Sequence, residues 1–357
     1  MSEEDTLFEV KDGIGTITLN RPKAMNALTL AQVEKIDPQL RAWAEDDAVH
    51  CVVIQGTGEK AFCAGGDVVA LYKAGQAKDE PYLATFYAEE YRLNRLMKMY
   101  PKPYVALIDG VTMGGGVGVS VHGSHRVASE RTLFAMPETG IGMFPDVGGT
   151  YFLPRLPGKL GMYLALTGAR LRAADCYYTG IATHYVPSNR LADMVKAMGE
   201  AETEAKTADQ MQQCVTAVLD MYHEEPGTAP LEKHRAQIDQ CFAADSVEGI
   251  LDRLAEDGSE WATQTAETIR QKSPTATKVA FKQMQVGAQV EFDRAMQIEY
   301  RLSQRFMAGP DFFEGVRALL VEKDNAPKWM PADLEGVEEE AVDAYFAPLQ
   351  QGDLTFD

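Results

Sequence analysis

Residues 102–158, KPYVALIDGVTMGGGVGVSVHGSHRVASERTLFAMPETGIGMFPDVGGTYFLPRLPG, decide how this chain is read. The apolar run Tyr104 to Ile108, framed by Pro101 and Pro103, reads as a short buried strand. It leads to Gly114-Gly115-Gly116, and Met113 to His122 supplies small residues where a helix would begin tightly packed. His125 to Ala135 reads as strand, turn, strand. Two acids follow, Glu138 and Asp146, each directly after a proline and among Met, Phe and Ile. Glycines let a ligand carbonyl approach bare backbone N–H groups. A carboxylate in apolar surroundings holds its proton more tightly, which moves its pKa toward the range useful for acid–base work.

Outward from this stretch, strand and helix patterns alternate. Phe8, Val10, Ile14, Ile17 and Leu19 straddle Asp12-Gly13 as in a β-hairpin. Thr29 suits the N-cap of a helix over residues 30–46, which Pro38 is expected to kink or divide. Cys51 to Gln55 is a strand ended by Gly56 and Gly58. Helices are expected at Val68–Lys73 and Tyr82–Lys98, then at Gly148–Leu153, Leu160–Thr167 and Ala173–Thr179. Beyond about residue 190 strand signals nearly vanish, and helix-compatible stretches take over at 191–221, 246–272, 274–287 and 290–307. Ser273-Pro274 looks like an N-cap with proline in the first helical position. The polar segment 203–245 carries the least pattern. The expectation is an α/β core over residues 1–190 holding the active site, with a mainly helical region over 191–357 packed on it.

Composition narrows the function classes. The 357 residues are 45% hydrophobic, enough for a large core, and 34 basic against 53 acidic residues give a net charge of −19. That charge opposes non-specific attraction to nucleic acid or an anionic membrane, so neither is expected as a partner. No apolar run approaches the length that spans a bilayer. Cys51, Cys63, Cys176, Cys214 and Cys241 are odd in number and contain no CxxC pair, which argues against a disulfide framework or a zinc site and for a reducing compartment. The start, MSEEDTLFEV, has an acidic head and no apolar signal-like stretch, and no Arg-rich presequence is visible, so a cytoplasmic location is expected. A chain beginning after a cleaved presequence reads the same way.

The segments Ala64-Gly65-Gly66-Asp67 and Met113-Gly114-Gly115-Gly116 each follow a strand pattern and precede a helix pattern. Each could present a backbone N–H near a helix N-terminus, and two such donors on one oxygen would form an oxyanion hole. The same glycines would equally serve tight turns and close packing. Glu138 and Asp146 have a comparable double reading, as acid–base groups or as first-turn helix caps. A dinucleotide or P-loop reading fails, because no G-x-x-x-x-G-K-[ST] occurs and GGGVGVSV lacks the last glycine of G-x-G-x-x-G. Gly118-Val119-Ser120-Val121-His122 breaks the G-x-S-x-G nucleophile elbow, which leaves Ser120 as a packed helix residue. His122 and His125 lack a recognisable third ligand, and Cys63 lacks a base partner; all three read as structural.

The segments GEKAFCAGGDV, KPYVALIDGVTMGGGVGVSVHG, FAMPETGIGMFPDVGGTYFLPRLPG, LALTGARLRAADCYYTGIATHYVP and DFFEGVRALLVEKDNAPKW together resemble the crotonase (enoyl-CoA hydratase/isomerase) superfamily, and within it the acyl-CoA hydrolases. The resemblance covers nearly the whole chain, is most specific from 59 to 187 and is weakest between about 203 and 265. It implies a spiral of ββα units with a helical C-terminal region. It also implies that Gly66 and Gly115 hold the thioester oxygen, that Glu138 is a catalytic carboxylate with Asp146 as second acid, and that Glu90 in YAEEYRLN contacts substrate. Ala64, Gly65 and Asp67 match the loop lying along coenzyme A. Lys23 and Lys60 are candidates to meet its phosphates. Hydratases of the superfamily carry a second catalytic glutamate three residues after the oxyanion glycine, where this chain has Gly118. Loss of one acid–base group typically lowers rate by about 10²–10⁴. The implied activity is therefore hydrolysis of a short β-hydroxyacyl-CoA, 3-hydroxyisobutyryl-CoA foremost, in valine catabolism. The rivals are an enoyl-CoA hydratase or isomerase and a catalytically silent acyl-CoA-binding protein. No metal or redox cofactor is expected, coenzyme A enters as part of the substrate, and a homo-oligomer is left open.

Overall fold

The computed structural model describes residues 4–201 and 207–356, which gather into two compact units. The first comprises the described residues up to Gly66, with 92–134 and 170–232; the second comprises 67–91, 135–169 and 233 onward. The architecture is mixed α/β, and from residue 191 on it is helical.

Among the described residues nine strands form, β1 (Thr6–Lys11), β2 (Ile14–Leu19), β3 (Cys51–Gly56), β4 (Ala61–Cys63), β5 (Tyr104–Ile108), β6 (Val111–Met113), β7 (His125–Ala128), β8 (Leu133–Ala135) and β9 (His184–Tyr185). The larger sheet has the order β1-β2-β3-β5-β7-β9 and the smaller one β4-β6-β8. β1 and β2 are the antiparallel hairpin expected from Asp12-Gly13, in register Thr6↔Leu19 to Lys11↔Ile14. Both turn residues take positive φ, 50° and 78°, as a tight hairpin turn demands. The pairs from β2 through β9 are parallel. Such strands are covered on both faces, and the runs Cys51–Ile54 and Tyr104–Ile108 are accordingly buried throughout. Val53, Val105, Leu107 and Val127 pack with Met194, Met198, Val215 and Leu219 from the helices Leu191–Ala201 and Ala208–Tyr222. The expected single stretch 191–221 is thus two helices within the described residues, and residues 202–206 lie outside them.

Other expectations meet local physics. Thr29 caps the helix Leu30–Glu45 in a capping box with Gln32, and Pro38 neither divides nor ends it. The pair expected as strand, turn, strand over 125–135 does form two strands, but β7 joins the larger sheet and β8 the smaller. The helix expected from Met113 shrinks to Gly115–Gly118.

The second unit is mainly helical, and serines punctuate it. Ser246, Ser259 and Ser273 accept hydrogen bonds from the N–H groups of Gly249, Ala262 and Ala276. The expected stretch 246–272 is consequently two helices, Val247–Asp257 and Glu260–Arg270, broken where Gly258 adopts φ 63°. The helices Pro274–Gly287 and Phe292–Ala308 follow, then Asp311–Val316 and Glu339–Phe346. Gly315 packs so tightly that an added Cβ would stand 2.4 Å from the carbonyl carbon of Ile141, which fixes the helix Asp311–Val316 against the 3-10 turn Glu138–Ile141.

Candidate active site

In the first unit, the two glycine segments leave the ends of neighbouring parallel strands, β4 and β6. The loop after β4 is pinned from below: the Leu28 N–H donates to the Gly65 carbonyl at 2.8 Å, and the Ala64 N–H to the Met25 carbonyl at 3.0 Å. Fully buried Asn26 ties the same segment to β4, donating to the carbonyls of Thr57 at 3.0 Å and Ala61 at 2.9 Å and accepting from the Arg21 N–H at 2.9 Å. The loop after β6 turns at Gly114, with φ 45° and ψ −122°, so that Gly115 opens the short helix Gly115–Gly118. The loops touch: a Cβ on Gly65 would lie 4.0 Å from the Gly114 Cα, and one on Gly116 would lie 2.2 Å from the Cys63 carbonyl oxygen. Neither the Gly66 nor the Gly115 N–H donates to any acceptor among the described residues. Both donors are thus unoccupied, on loops that lie side by side.

The second unit assembles the acids. Glu138 opens its 3-10 turn and is only 6% exposed, and its Oε2 has no hydrogen-bond partner among the described residues. Burial raises its pKa well above the ordinary carboxylate value and the charge of Asp146 raises it further, while a backbone hydrogen bond pulls the other way. Asp146, 7% exposed, accepts a hydrogen bond from the Tyr91 hydroxyl at 3.0 Å. Burial pushes its pKa up to about 7 against the opposing pull of that bond. Glu90, on the helix Glu80–Lys98, is 2% exposed with Oε1 unpartnered among the described residues, and burial, then Asp146 and Glu299, raise its pKa.

Glu299 had not been singled out in the sequence. It lies fully buried on the helix Phe292–Ala308, accepts the N–H groups of Gly148 and Thr150 at 2.8 Å each, and is pushed up to about 8 by burial and by Asp146. A signal existed: Phe292, Ala295, Met296, Leu302 and Phe306 mark the buried stripe of this helix, and Glu299 sits on it. The charge of Asp146 raises the other three acids and that of Glu299 raises Glu90 and Glu138, so the four do not titrate independently. No group of three or more His, Cys, Asp or Glu among the described residues is placed to hold a metal ion.

The remaining candidates fall out as follows. Asp67 caps the helix Val68–Gln76, accepting the Ala70 N–H at 3.1 Å, and Ala64 and Gly65 lie in the pinned loop. Lys23 and Lys60 are exposed. Ser120 donates to the Gly116 carbonyl at 2.8 Å as a packed residue, and His125 bonds Ser124 and Thr216, with burial pushing its pKa down to about 4. The five cysteines are free thiols.

The enoyl-CoA hydratase/isomerase family model matches residues 14–346. The chain is 49% identical to the 3-hydroxyisobutyryl-CoA hydrolase, mitochondrial, of Danio rerio over 98% of this chain and 91% of the relative. It is 48% identical to the protein of that name from Homo sapiens over 99% and 91%. Among solved structures, a carnitinyl-CoA dehydratase from Mycobacterium thermoresistibile superposes with a TM-score of 0.91 at 42% identity, covering 99% of both chains. An enoyl-CoA hydratase from Rhodobacter sphaeroides 2.4.1 gives 0.89 at 37% identity, covering 99% of this chain and 100% of that one. These likenesses show the crotonase fold expected from the sequence. They also correct one expectation: the curated relatives are named as mitochondrial, which overturns the cytoplasmic location read from the acidic N-terminus and points to mitochondria. Composition at one terminus was too thin a signal to carry a compartment.

Proposed function

The chain belongs to the enoyl-CoA hydratase/isomerase family, and from that membership we propose that it hydrolyses 3-hydroxyisobutyryl-CoA to 3-hydroxyisobutyrate and coenzyme A, a step of valine catabolism. Relatives about half identical over nearly the full length and named for that reaction support the substrate. The observation that carries the chemistry is the state of Glu138, a buried carboxylate with a raised proton affinity and one oxygen left without a partner among the described residues.

In this reading the N–H groups of Gly66 and Gly115 polarise the thioester carbonyl and stabilise the charge that develops on its oxygen, a contribution of roughly 3–4 kcal/mol for each donor. Glu138 either attacks the carbonyl carbon, giving a mixed anhydride that water opens, or removes a proton from the attacking water. A raised pKa makes it the stronger base once ionised. Asp146, held by the Tyr91 hydroxyl, positions that water or relays a proton to the departing thiolate. Glu90 takes the substrate hydroxyl. Ala64, Gly65 and Asp67 line coenzyme A, with Lys23 and Lys60 toward its phosphates.

The names of the two solved structures favour a second reading, addition or loss of water at a double bond. Gly118 stands against it, because that chemistry in the superfamily uses a glutamate there. The readings separate in one pair of assays, thiol release from 3-hydroxyisobutyryl-CoA and loss of crotonyl-CoA absorbance. Thiol release alone is expected. Turnover of crotonyl-CoA without thiol release would replace the hydrolase by a hydratase, and tight product binding with neither activity would leave a silent binding protein.

A further inference from the structure

We infer that Glu299 is a positioning residue for the proposed hydrolysis, its carboxylate holding the turn 146–150 in the one conformation that aims Asp146. The inference rests on the thioester-hydrolase reading and adds to it a residue on a helix remote in sequence from the glycine and acid motifs.

The turn it holds is strained. Val147, fully buried, has φ 50°, a region that β-branched residues seldom enter, and Gly148 follows at φ 91°. Two consecutive residues with positive φ bring the Gly148 and Thr150 N–H groups to one side, and the Glu299 carboxylate takes both at 2.8 Å, one on each oxygen. From the helix Pro274–Gly287, buried Gln283 donates to the Pro145 carbonyl at 2.6 Å and to the Thr150 hydroxyl at 2.7 Å. Residues 145–150 are therefore gripped from two helices, and Asp146 stands directly before the strained residue. A carboxylate that accepts two backbone donors is a costly thing to bury merely as filler, because an apolar side chain on this stripe would leave both N–H groups unsatisfied.

Glu299 also shares the charge environment. The titratable groups in electrostatic contact with it are Asp146 on the turn, Glu138 on its 3-10 turn, and Glu90 and Tyr91 on the helix Glu80–Lys98. Its negative charge raises Glu90 and Glu138, and Asp146 raises Glu299 in turn. Replacing it with an uncharged side chain lets Glu90 and Glu138 ionise at lower pH.

The test is the pH dependence of thiol release by the full chain carrying Glu299→Gln. The expected result is kcat lower by about 10- to 100-fold, as for a catalytic group misplaced by a fraction of an ångström, with KM little changed and the acid limb of kcat moved to lower pH. Unchanged kcat and an unchanged limb would overturn the inference, as would a fall in kcat with the limb unmoved, which is the signature of a merely structural residue. Where the Gln variant does not unfold cooperatively, Glu299→Asp replaces it: charge is kept and reach shortened, so kcat should fall while the limb stays at the wild-type pH. Wild-type kcat there would overturn the inference. Absence of thiol release by the wild-type protein would instead remove the hydrolase reading itself.

Discussion

At the scale of the residue, the two halves of the chemistry differ in how they are built. The donors proposed at Gly66 and Gly115 are backbone groups, so that side of the proposed site depends on loop geometry alone. The acids act through burial, which holds Glu90, Glu138, Asp146 and Glu299 above their ordinary pKa values. This has a thermodynamic consequence. Asp146 rises from 3.8 to about 7 and Glu299 from 4.5 to about 8, so folding takes up protons. Their contribution to stability is fully present below the unfolded-state values and is lost progressively as pH rises from there through about 7 for Asp146 and about 8 for Glu299. Denaturation midpoints should fall over that interval, and Asp146→Asn should flatten the fall; a variant with the wild-type slope would show that Asp146 does not titrate there. The two routes open to Glu138 separate in a single turnover in labelled water. Label appearing in the Glu138 carboxylate marks the anhydride, and label confined to the product acid marks water attacking the acyl carbon. Glu138 and Asp146 were legible because an acid after a proline in an apolar run stands out locally, and Glu90 only through the family resemblance. Glu299 required the helix face to be drawn first, and Tyr91 is one aromatic among many until its hydroxyl is seen on Asp146.

At the scale of the element, sequence signals succeeded where a local cause dominates. The Asp12-Gly13 turn, the Thr29 capping box and the serine before Pro274 each act within four residues, and each forms as expected. Partner choice is not local. Nothing in residues 125–135 tells that β7 and β8 join different sheets, and the helix after Gly114, packed against β4 at Gly116, runs only four residues. That packing can be tested. A methyl group at Gly116 would meet the Cys63 carbonyl oxygen at 2.2 Å, so Gly116→Ala should destabilise by about 1–3 kcal/mol and displace the loop that carries the Gly115 donor. Chemical denaturation measures the first effect and kcat the second. Wild-type values of both would mean the loops are not packed as described.

At the scale of the whole molecule, composition excluded classes and could not locate the protein. The net charge of −19 predicts repulsion of a phosphate-bearing substrate, to be relieved locally if Lys23 and Lys60 meet the phosphates as proposed. Salt screens long-range repulsion within about 8 Å at physiological ionic strength, so KM for the acyl-CoA should fall as salt rises from low values. A KM that rises steadily with salt would mean that local cations outweigh the global charge. The grouping of residues 170–232 with the N-terminal strands was beyond the reach of composition, because it depends on Met194, Met198 and Val215 finding a sheet face far back in the sequence. The measurement that tests the central claim most directly is thiol release from 3-hydroxyisobutyryl-CoA by the wild-type chain and by Glu138→Gln, folded to the same extent. Turnover by the wild type and its loss in the variant, to below about one part in 10², is expected; a variant that keeps a substantial fraction of the rate would contradict the role given to Glu138.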